Sequence, residues 1–402
     1  MRVLAVTKIF PSGREPLLAP YNRHQLRELS KLCEVVLFGL VPYYPGRRWL
    51  DERHVEVAPR ETIDGVDVVH PRVFYVPRVG RALAGLTYTA SLLPHVWAMR
   101  GRVDVVLGAF AYPDGLSALL TSRLLGVPCV VKLHGSDVNR NAADPWLRAP
   151  TAWTVANADA VVAPSDSLLA RAAELGAERR RLVLVKNGID KETFRVRDRH
   201  ACRLELGCPG DERRWVLFVG NHEREKGLDE LLVAFKRLHD RDPAHALLLA
   251  GDGRERSRYE REARDLRLPV TFVGEVRPER VATLMGASDV VVLPSYAEGA
   301  PNVVVEALAC GRRVVASSVG AVPAMLHSEQ LGELVPPRDA DALTHALLRV
   351  LAAAGDPEAI AAHGGGQTWA ESARALHFVL ERAVSERRAG REVARSAEGG
   401  LA

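Results

Sequence analysis

Two carboxylates, Glu298 and Glu306, flank the segment Gly299-Ala300-Pro301-Asn302-Val303. Just before them, the apolar run Val290–Leu293 reads as a strand that ends at Pro294. A polar loop follows, and then a helix from about Asn302 to Cys310, stopped by Gly311. The first amides of a helix have no partner within it and carry partial positive charge, so positions 299–304 form a site suited to a diphosphate. Carboxylates on either side of that anion would accept hydrogen bonds from sugar hydroxyls. A Glu pair alone is more often two solvated acids, and the surrounding pattern has to decide.

Other residues could also do chemistry. Lys226 precedes Gly227, which could end a turn, and a solvated lysine is the default reading. His134 and Asp137 follow the apolar run Cys129–Leu133 and would stand at a strand end. Gly251-Asp252-Gly253 is half of a dinucleotide fingerprint, but Arg256 stands where the third glycine should be, which speaks against an oxidoreductase. Asp240-x-Asp242 and Asp339-x-Asp341 lie in polar helix-end or loop stretches and read as solvated acids, so no metal site is expected and no cofactor is called for.

These residues must be positioned by strands. Short β-rich runs recur at Val3–Val6, Val35–Phe38, Val103–Leu107, Cys129–Leu133, Ala160–Ala163 and Leu182–Val185, with helix-like stretches such as Tyr21–Leu32 and Gly115–Leu125 between several of them. Buried strands alternating with helices indicate a parallel α/β sheet covered on both faces. After a polar stretch ending near Arg214 the rhythm restarts at Trp215–Val219, Ala246–Ala250, Val270–Val273, Val290–Leu293 and Arg313–Ala316. The expectation is two Rossmann-like doubly wound domains, 1–190 and 215–370, facing each other across a cleft. A linker at 191–214 would join them, a C-terminal helix at 371–385 would return to the first domain, and 386–402 would form a frayed tail. Ligands of such sheets bind outside the carboxyl ends of the strands.

Composition sets the outer bounds. The 402 residues suffice for two cores without disulfide or metal staples. Five scattered cysteines, with no Cys-x-x-Cys pair, exclude a disulfide framework and point to a reducing compartment. The start lacks a secretory core, and no run of eighteen apolar residues occurs. The expected location is therefore the cytoplasm, with a peripheral place at the inner face of the cell membrane as a further expectation. Net charge is +4, with residues 1–190 at +6 and the remainder at −2. A mild basic excess fits an anionic substrate or an anionic membrane surface and is too small for nucleic acid.

Five segments together carry a resemblance. They are Lys132-Leu133-His134-Gly135-Ser136-Asp137, Val185-Lys186-Asn187-Gly188-Ile189-Asp190, Val216–Leu232 with Gly220-Asn221 and Lys226-Gly227, Leu248–Gly253 followed by Val270–Val276, and Leu293–Gly311. In this order they resemble retaining glycosyltransferases of family four, with GT-B architecture and a Glu-x7-Glu motif, over roughly residues 1–385. The resemblance implies a nucleotide diphosphate hexose donor, UDP- or GDP-linked, and a saccharide or lipid-linked acceptor, in bacterial surface polysaccharide biosynthesis. It places Glu306 on the ribose, Glu298 on the hexose and Lys226 on the diphosphate. The amides of Gly299, Ala300, Pro301, Asn302 and Val303 would lie around the phosphate and sugar. Gly220, Asn221 and Gly251 would border the donor, and Val273, Gly274 and Glu275 the base. His134 and Asp137 would face the transferred sugar, with Gly13 on the acceptor side. Two positions depart from the family pattern: Asn221 stands where many members carry a second cation, and the first loop has a single glycine, Gly13. A nucleophile on the far face of the sugar is missing, so the family's same-face reaction applies: the diphosphate leaves, an oxocarbenium-like species forms, and the acceptor attacks from the leaving-group side. Alternatives are a sugar-nucleotide epimerase of GT-B architecture and a non-catalytic sugar-nucleotide-binding protein.

Between Pro71 and Val103 there are five arginines (Arg72, Arg78, Arg81, Arg100, Arg102) and no acid. The apolar stretch Ala82–Met99 lies among them. Such a stretch could rest on anionic lipid or pack on its own sheet.

Overall fold

The computed structural model describes residues 1–11, 20–43, 57–75, 80–353 and 355–399. The chain divides into two compact units, Met1–Gly188 with Trp369–Ala402, and Ile189–Thr368. The first unit holds strands β1 (Arg2–Thr7), β2 (Glu34–Gly39), β3 (Val41–Tyr43), β4 (Arg60–Ile63), β5 (Val66–Val69), β6 (Arg72–Phe74), β7 (Val105–Ala109), β8 (Cys129–Lys132), β9 (Ala160–Ala163) and β10 (Leu182–Leu184). Its main sheet has the order β10-β9-β8-β7-β1-β2-β5-β4, with β3 and β6 paired apart. The chain passes to the second unit through β11 (Gly188–Ile189). That unit contains β12 (Arg214–Val219), β13 (His245–Ala250), β14 (Val270–Gly274), β15 (Val290–Leu293), β16 (Val314–Ser317) and β17 (Gly332–Val335). Its order is β14-β13-β12-β15-β16-β17, all parallel. All five cysteines are free thiols.

Both sheets reverse direction beside their first strand. Val3 pairs with Val35 of β2 on one side and Val105 of β7 on the other. In the second unit Val216 pairs with Leu247 of β13 and Val290 of β15. At such a switch point the loops leaving the two central strands diverge and open a crevice. Both faces of each sheet are covered, so the strands read as unbroken apolar runs rather than alternating ones.

The structure departs from the sequence expectation in several places. Residues 191–214 are no linker. They carry the helix Arg199–Glu205, with Cys202 fully buried in the second core. Arg203 is also buried there, donating to the Ala287 carbonyl at 3.0 Å and the Asp289 carboxylate at 3.0 Å. The C-terminal helix spans Trp369–Gly399 in one piece, beginning before 371 and running well into the expected tail. An antiparallel hairpin, β4 with β5, escaped the strand reading. It turns at Asp64-Gly65, both at positive φ, a dipeptide that signals a tight hairpin. The pair β3–β6 and the last strand of the second unit's main sheet, β17, likewise lie outside the expected strands.

The returning helix closes the first unit. Ala373, Leu376, Leu380 and Ala383, spaced as one helical face, are buried with Val3, Ala5, Leu26, Leu29 and Val130. Ser372 Oγ accepts from Gln25 Nε2 at 2.8 Å and donates to the Lys186 carbonyl at 2.6 Å. If this helix is part of the core, Leu380→Ala should destabilise the protein by about 2–5 kcal/mol through the cavity it leaves. Urea unfolding checks this, and a loss below about 1 kcal/mol would show that the helix merely rests on the surface.

Candidate functional site

In the second unit the loops after β12 and β15 are zipped together. After β12 the chain makes the tight turn Arg224–Lys226 and reaches Gly227 at φ 69°. A Cβ on Gly227 would sit 2.0 Å from the Pro294 carbonyl oxygen, so only glycine permits this approach. Next to it the Tyr296 amide donates to the Glu225 carbonyl at 2.8 Å. The side chains then complete the join, with Lys226 Nζ 2.7 Å from Glu298 Oε1. Asn221 and Arg224, on the same loop, are exposed.

Glu298 leads into the segment Gly299-Ala300-Pro301, held from behind by the Ala321 amide, which donates to the Gly299 carbonyl at 3.0 Å. The helix Asn302–Ala309 starts there with no side chain capping its N-terminus. The Val303 side chain packs on the core, so this position can offer a ligand only its backbone. One turn in stands Glu306. Its carboxylate has no protein partner among the described residues, and burial pushes it up to about 7. The residue is half-buried, so the carboxylate stays open to an incoming hydrogen-bond donor.

The neighbouring strand ends are built of glycine. A Cβ on Gly251 would meet the Gly220 carbonyl oxygen at 2.0 Å. The Gly251 amide donates to the Gly274 carbonyl at 2.8 Å. The carboxyl ends of β12, β13 and β14 thus meet backbone to backbone. Val273 packs its side chain on the core, while Glu275 is exposed.

In the first unit His134 follows β8. Its ring lies 4.3 Å from Phe110 and 4.9 Å from Tyr21, centroid to centroid. Nε2 is buried without a partner. Burial first, and the Lys132 charge second, hold the imidazole well below its usual pKa, so it is neutral at pH 7. Asp137 corrects the sequence reading. Its carboxylate accepts from the amides of Gly135 at 2.8 Å, His134 at 3.1 Å and Ala111 at 2.8 Å, so it fastens the His134 loop and does not face a ligand. Gly13 lies outside the described residues.

Sequence reasoning missed Asp114. This fully buried carboxylate accepts from the Lys8 amide at 2.7 Å and Thr7 Oγ1 at 3.2 Å, joining the loops after β1 and β7. Burial raises it to about 6. The available signal was an acid in Tyr112-Pro113-Asp114-Gly115, just past a predicted strand. Lys132, also buried, donates to Gln25 Oε1 at 2.5 Å, and burial lowers it to about 7.

Residues 19–193 match the model described as Glycosyltransferase Family 4, and residues 213–353 match that described as Glycosyl transferases group 1. A relative from Bacillus subtilis, TuaC, named for teichuronic acid biosynthesis, is 30% identical over 372 residues, covering 87% of this chain and 89% of its own. The chain belongs to glycosyltransferase family 4. This family 4 enzyme is also 33% identical to the D-inositol 3-phosphate glycosyltransferase of Mycobacterium tuberculosis over 318 residues, covering 73% of this chain and 64% of that one. Its fold is GT-B. Sucrose-phosphate synthase of Thermosynechococcus elongatus superposes with TM-score 0.72 at 22% identity, covering 99% of this chain and 100% of its own. HepE of Anabaena, solved with UDP-glucose, superposes at 0.66 and 18% identity, covering 98% of this chain and all of its own.

The Glu306 carboxyl makes a testable statement about stability. In the unfolded chain it ionises near 4.5, whereas the folded protein holds the proton to about 7. Between those values the folded state binds more protons, so stability declines as pH rises through that window and stays reduced above it. Glu306→Gln should therefore raise Tm at pH 8, at about 2–4 °C per kcal/mol recovered, and the two proteins should converge toward pH 4.5. Melting curves across pH test this, and equal Tm values at pH 8 would refute it.

Proposed function

We propose that this glycosyltransferase transfers a hexose, with retention and without a divalent metal, from a UDP- or GDP-linked donor to a saccharide or lipid-linked acceptor of a bacterial surface polysaccharide. The observation that carries the proposal is the ion pair Lys226–Glu298 beside an uncapped helix start, with the unpartnered Glu306 one turn inside it. The donor diphosphate lies at that helix start and takes Lys226 over from Glu298, which frees Glu298 for the hexose hydroxyls. Glu306 accepts from the ribose. Lys226 and the amides then stabilise the charge that develops on the departing phosphate. In the first unit the neutral His134 keeps one ring nitrogen free of protein partners, suited to a hydroxyl group. The glycine-lined ends of β12 to β14 let backbone approach the nucleotide closely, with Glu275 at the edge. The name of TuaC supports a polysaccharide setting.

The absence of a metal requirement is supported by the fate of the Asp-x-Asp candidates. Asp240 pairs with Lys236, Asp242 accepts from the Ala244 amide, Asp339 caps a helix, and Asp341 pairs with Arg237.

Incubation with nucleotide hexoses, with and without acceptor, and assignment of the product anomer by NMR test the reading. An α-linked product that forms only with acceptor is expected from an α-linked donor, and an epimerised donor formed without acceptor would overturn it. Lys226→Ala and Glu306→Gln should each lower kcat/KM by about tenfold or more, the worth of one charge-assisted hydrogen bond of about 1.5–3 kcal/mol, while circular dichroism shows the fold intact. Activity should persist in chelator. Complete loss restored by magnesium or manganese would contradict the metal-free mechanism.

A further inference from the structure

The helix Ala84–Ala98 in the first unit is apolar on both sides. Its inner face, Ala84, Gly85, Tyr88, Leu92 and Val96, is buried. Gly85 lies so close to Leu116 that a Cβ there would fall 2.6 Å from Leu116 Cδ2. The outer face should then be polar, as on a surface helix of a globular protein. Instead Leu86, Leu93 and Trp97 are 52%, 38% and 65% exposed, and Leu83, just before the helix, is 57% exposed. Ala90 is exposed between them. Positions 83, 86, 90, 93 and 97 follow one another by three or four residues, so they form one continuous apolar stripe. Scattered exposed leucines need no explanation, but a contiguous stripe marks an interaction surface.

Within residues 71–103 the charged side chains are all arginines. Arg72, Arg81, Arg100 and Arg102 are exposed, and no acid occurs between residues 71 and 103. Arg100 lies over the Trp97 ring at 5.2 Å, which keeps a cation beside the indole. Arg81 pairs with Asp144 at 3.2 Å, and two residues further on Trp146 is 78% exposed. The helix has 15 residues, too few to cross a bilayer, and no helix among the described residues is long and apolar enough to do so.

We propose that this stripe is a docking surface for an anionic lipid bilayer, with the helix lying in the plane of the headgroups. Leu83, Leu86, Leu93 and Trp97 enter the acyl boundary, and the arginines pair with lipid phosphates. Self-association is the less suitable occupant. A two-fold contact between stripes would bring each arginine rim against its own copy, with no acid in the segment to pair it. The surface rests on the first unit alone and does not depend on the transfer chemistry.

Co-sedimentation of the full chain with phosphatidylglycerol/phosphatidylcholine vesicles tests the proposal. Binding at low salt, much reduced at high salt and absent from pure phosphatidylcholine, is expected. The pair Arg100→Glu and Arg102→Glu should weaken it by at least about fivefold per arginine lost. The pair Leu86→Asp and Trp97→Asp should abolish it with Tm unchanged, because both side chains are largely exposed. No sedimentation at low salt would overturn the proposal, as would binding that survives the Leu86 and Trp97 changes. Sedimentation velocity covers the rival: a dimer broken by the Leu86 and Trp97 pair, without lipid binding, would assign the stripe to a second copy.

Discussion

The contact of Gly227 with the Pro294 carbonyl fixes the geometry on which the rest of the candidate site depends. It brings the turn after β12 against the loop after β15, and only then can Lys226 reach Glu298. A partly exposed ion pair holds little by itself. The backbone approach, the Tyr296–Glu225 hydrogen bond and the burial of the strands beneath provide the rigidity. The pair contributes something else: two opposite charges held close together beside an uncapped helix start. In the transfer proposed above, each is the other's placeholder until a ligand carrying both phosphate and hydroxyl groups offers better partners.

The first unit solves the same topological problem differently. Its switch point lies between β1 and β7, and the loops leaving those strands are tied by the Asp114 carboxylate. That group is wholly enclosed, whereas Glu298 keeps part of its surface open. Asp137 likewise spends both oxygens on backbone amides. Asp114 and Asp137 therefore shape loops in the first unit, while Glu306 in the second has no protein partner among the described residues. Among the groups of the first unit that keep an unused buried polar atom is the neutral His134, wedged between Phe110 and Tyr21.

Much of this was legible in the sequence because parallel strands buried on both faces must be apolar throughout. Runs such as Val290–Leu293 and Val314–Ser317 announce themselves, and the start and stop of the helix Asn302–Ala309 follow from local rules. What stayed hidden depends on long-range contacts. The polar look of residues 191–214 concealed Arg203, whose charge is buried only because Asp289 and the Ala287 carbonyl come to meet it. The helix beyond residue 385 is rich in charge, and polarity resembles fraying when the packed stripe beneath it is not counted. The role of Asp137 could not be read from its motif, since the amide of Ala111 is distant in sequence. The antiparallel hairpin at Asp64-Gly65 carried its turn signal openly, but its strands are too half-exposed to stand out as runs.

The C-terminal helix makes the first unit discontinuous, with the entire second unit inserted between its two pieces of sequence. On the ribosome the segment that begins at Trp369 emerges after the whole second unit. Until then the sheet face bearing Val3, Ala5 and Val130, with Leu26 and Leu29 of the adjoining helix, has nothing to cover it. The second unit, contiguous in sequence, can reach its final packing first, even though it is made later than most of its partner. Birth order and completion order are thus inverted. The nascent first unit must wait with an apolar face open to solvent, a period in which a chaperone or a neighbouring nascent chain has its best opportunity to bind.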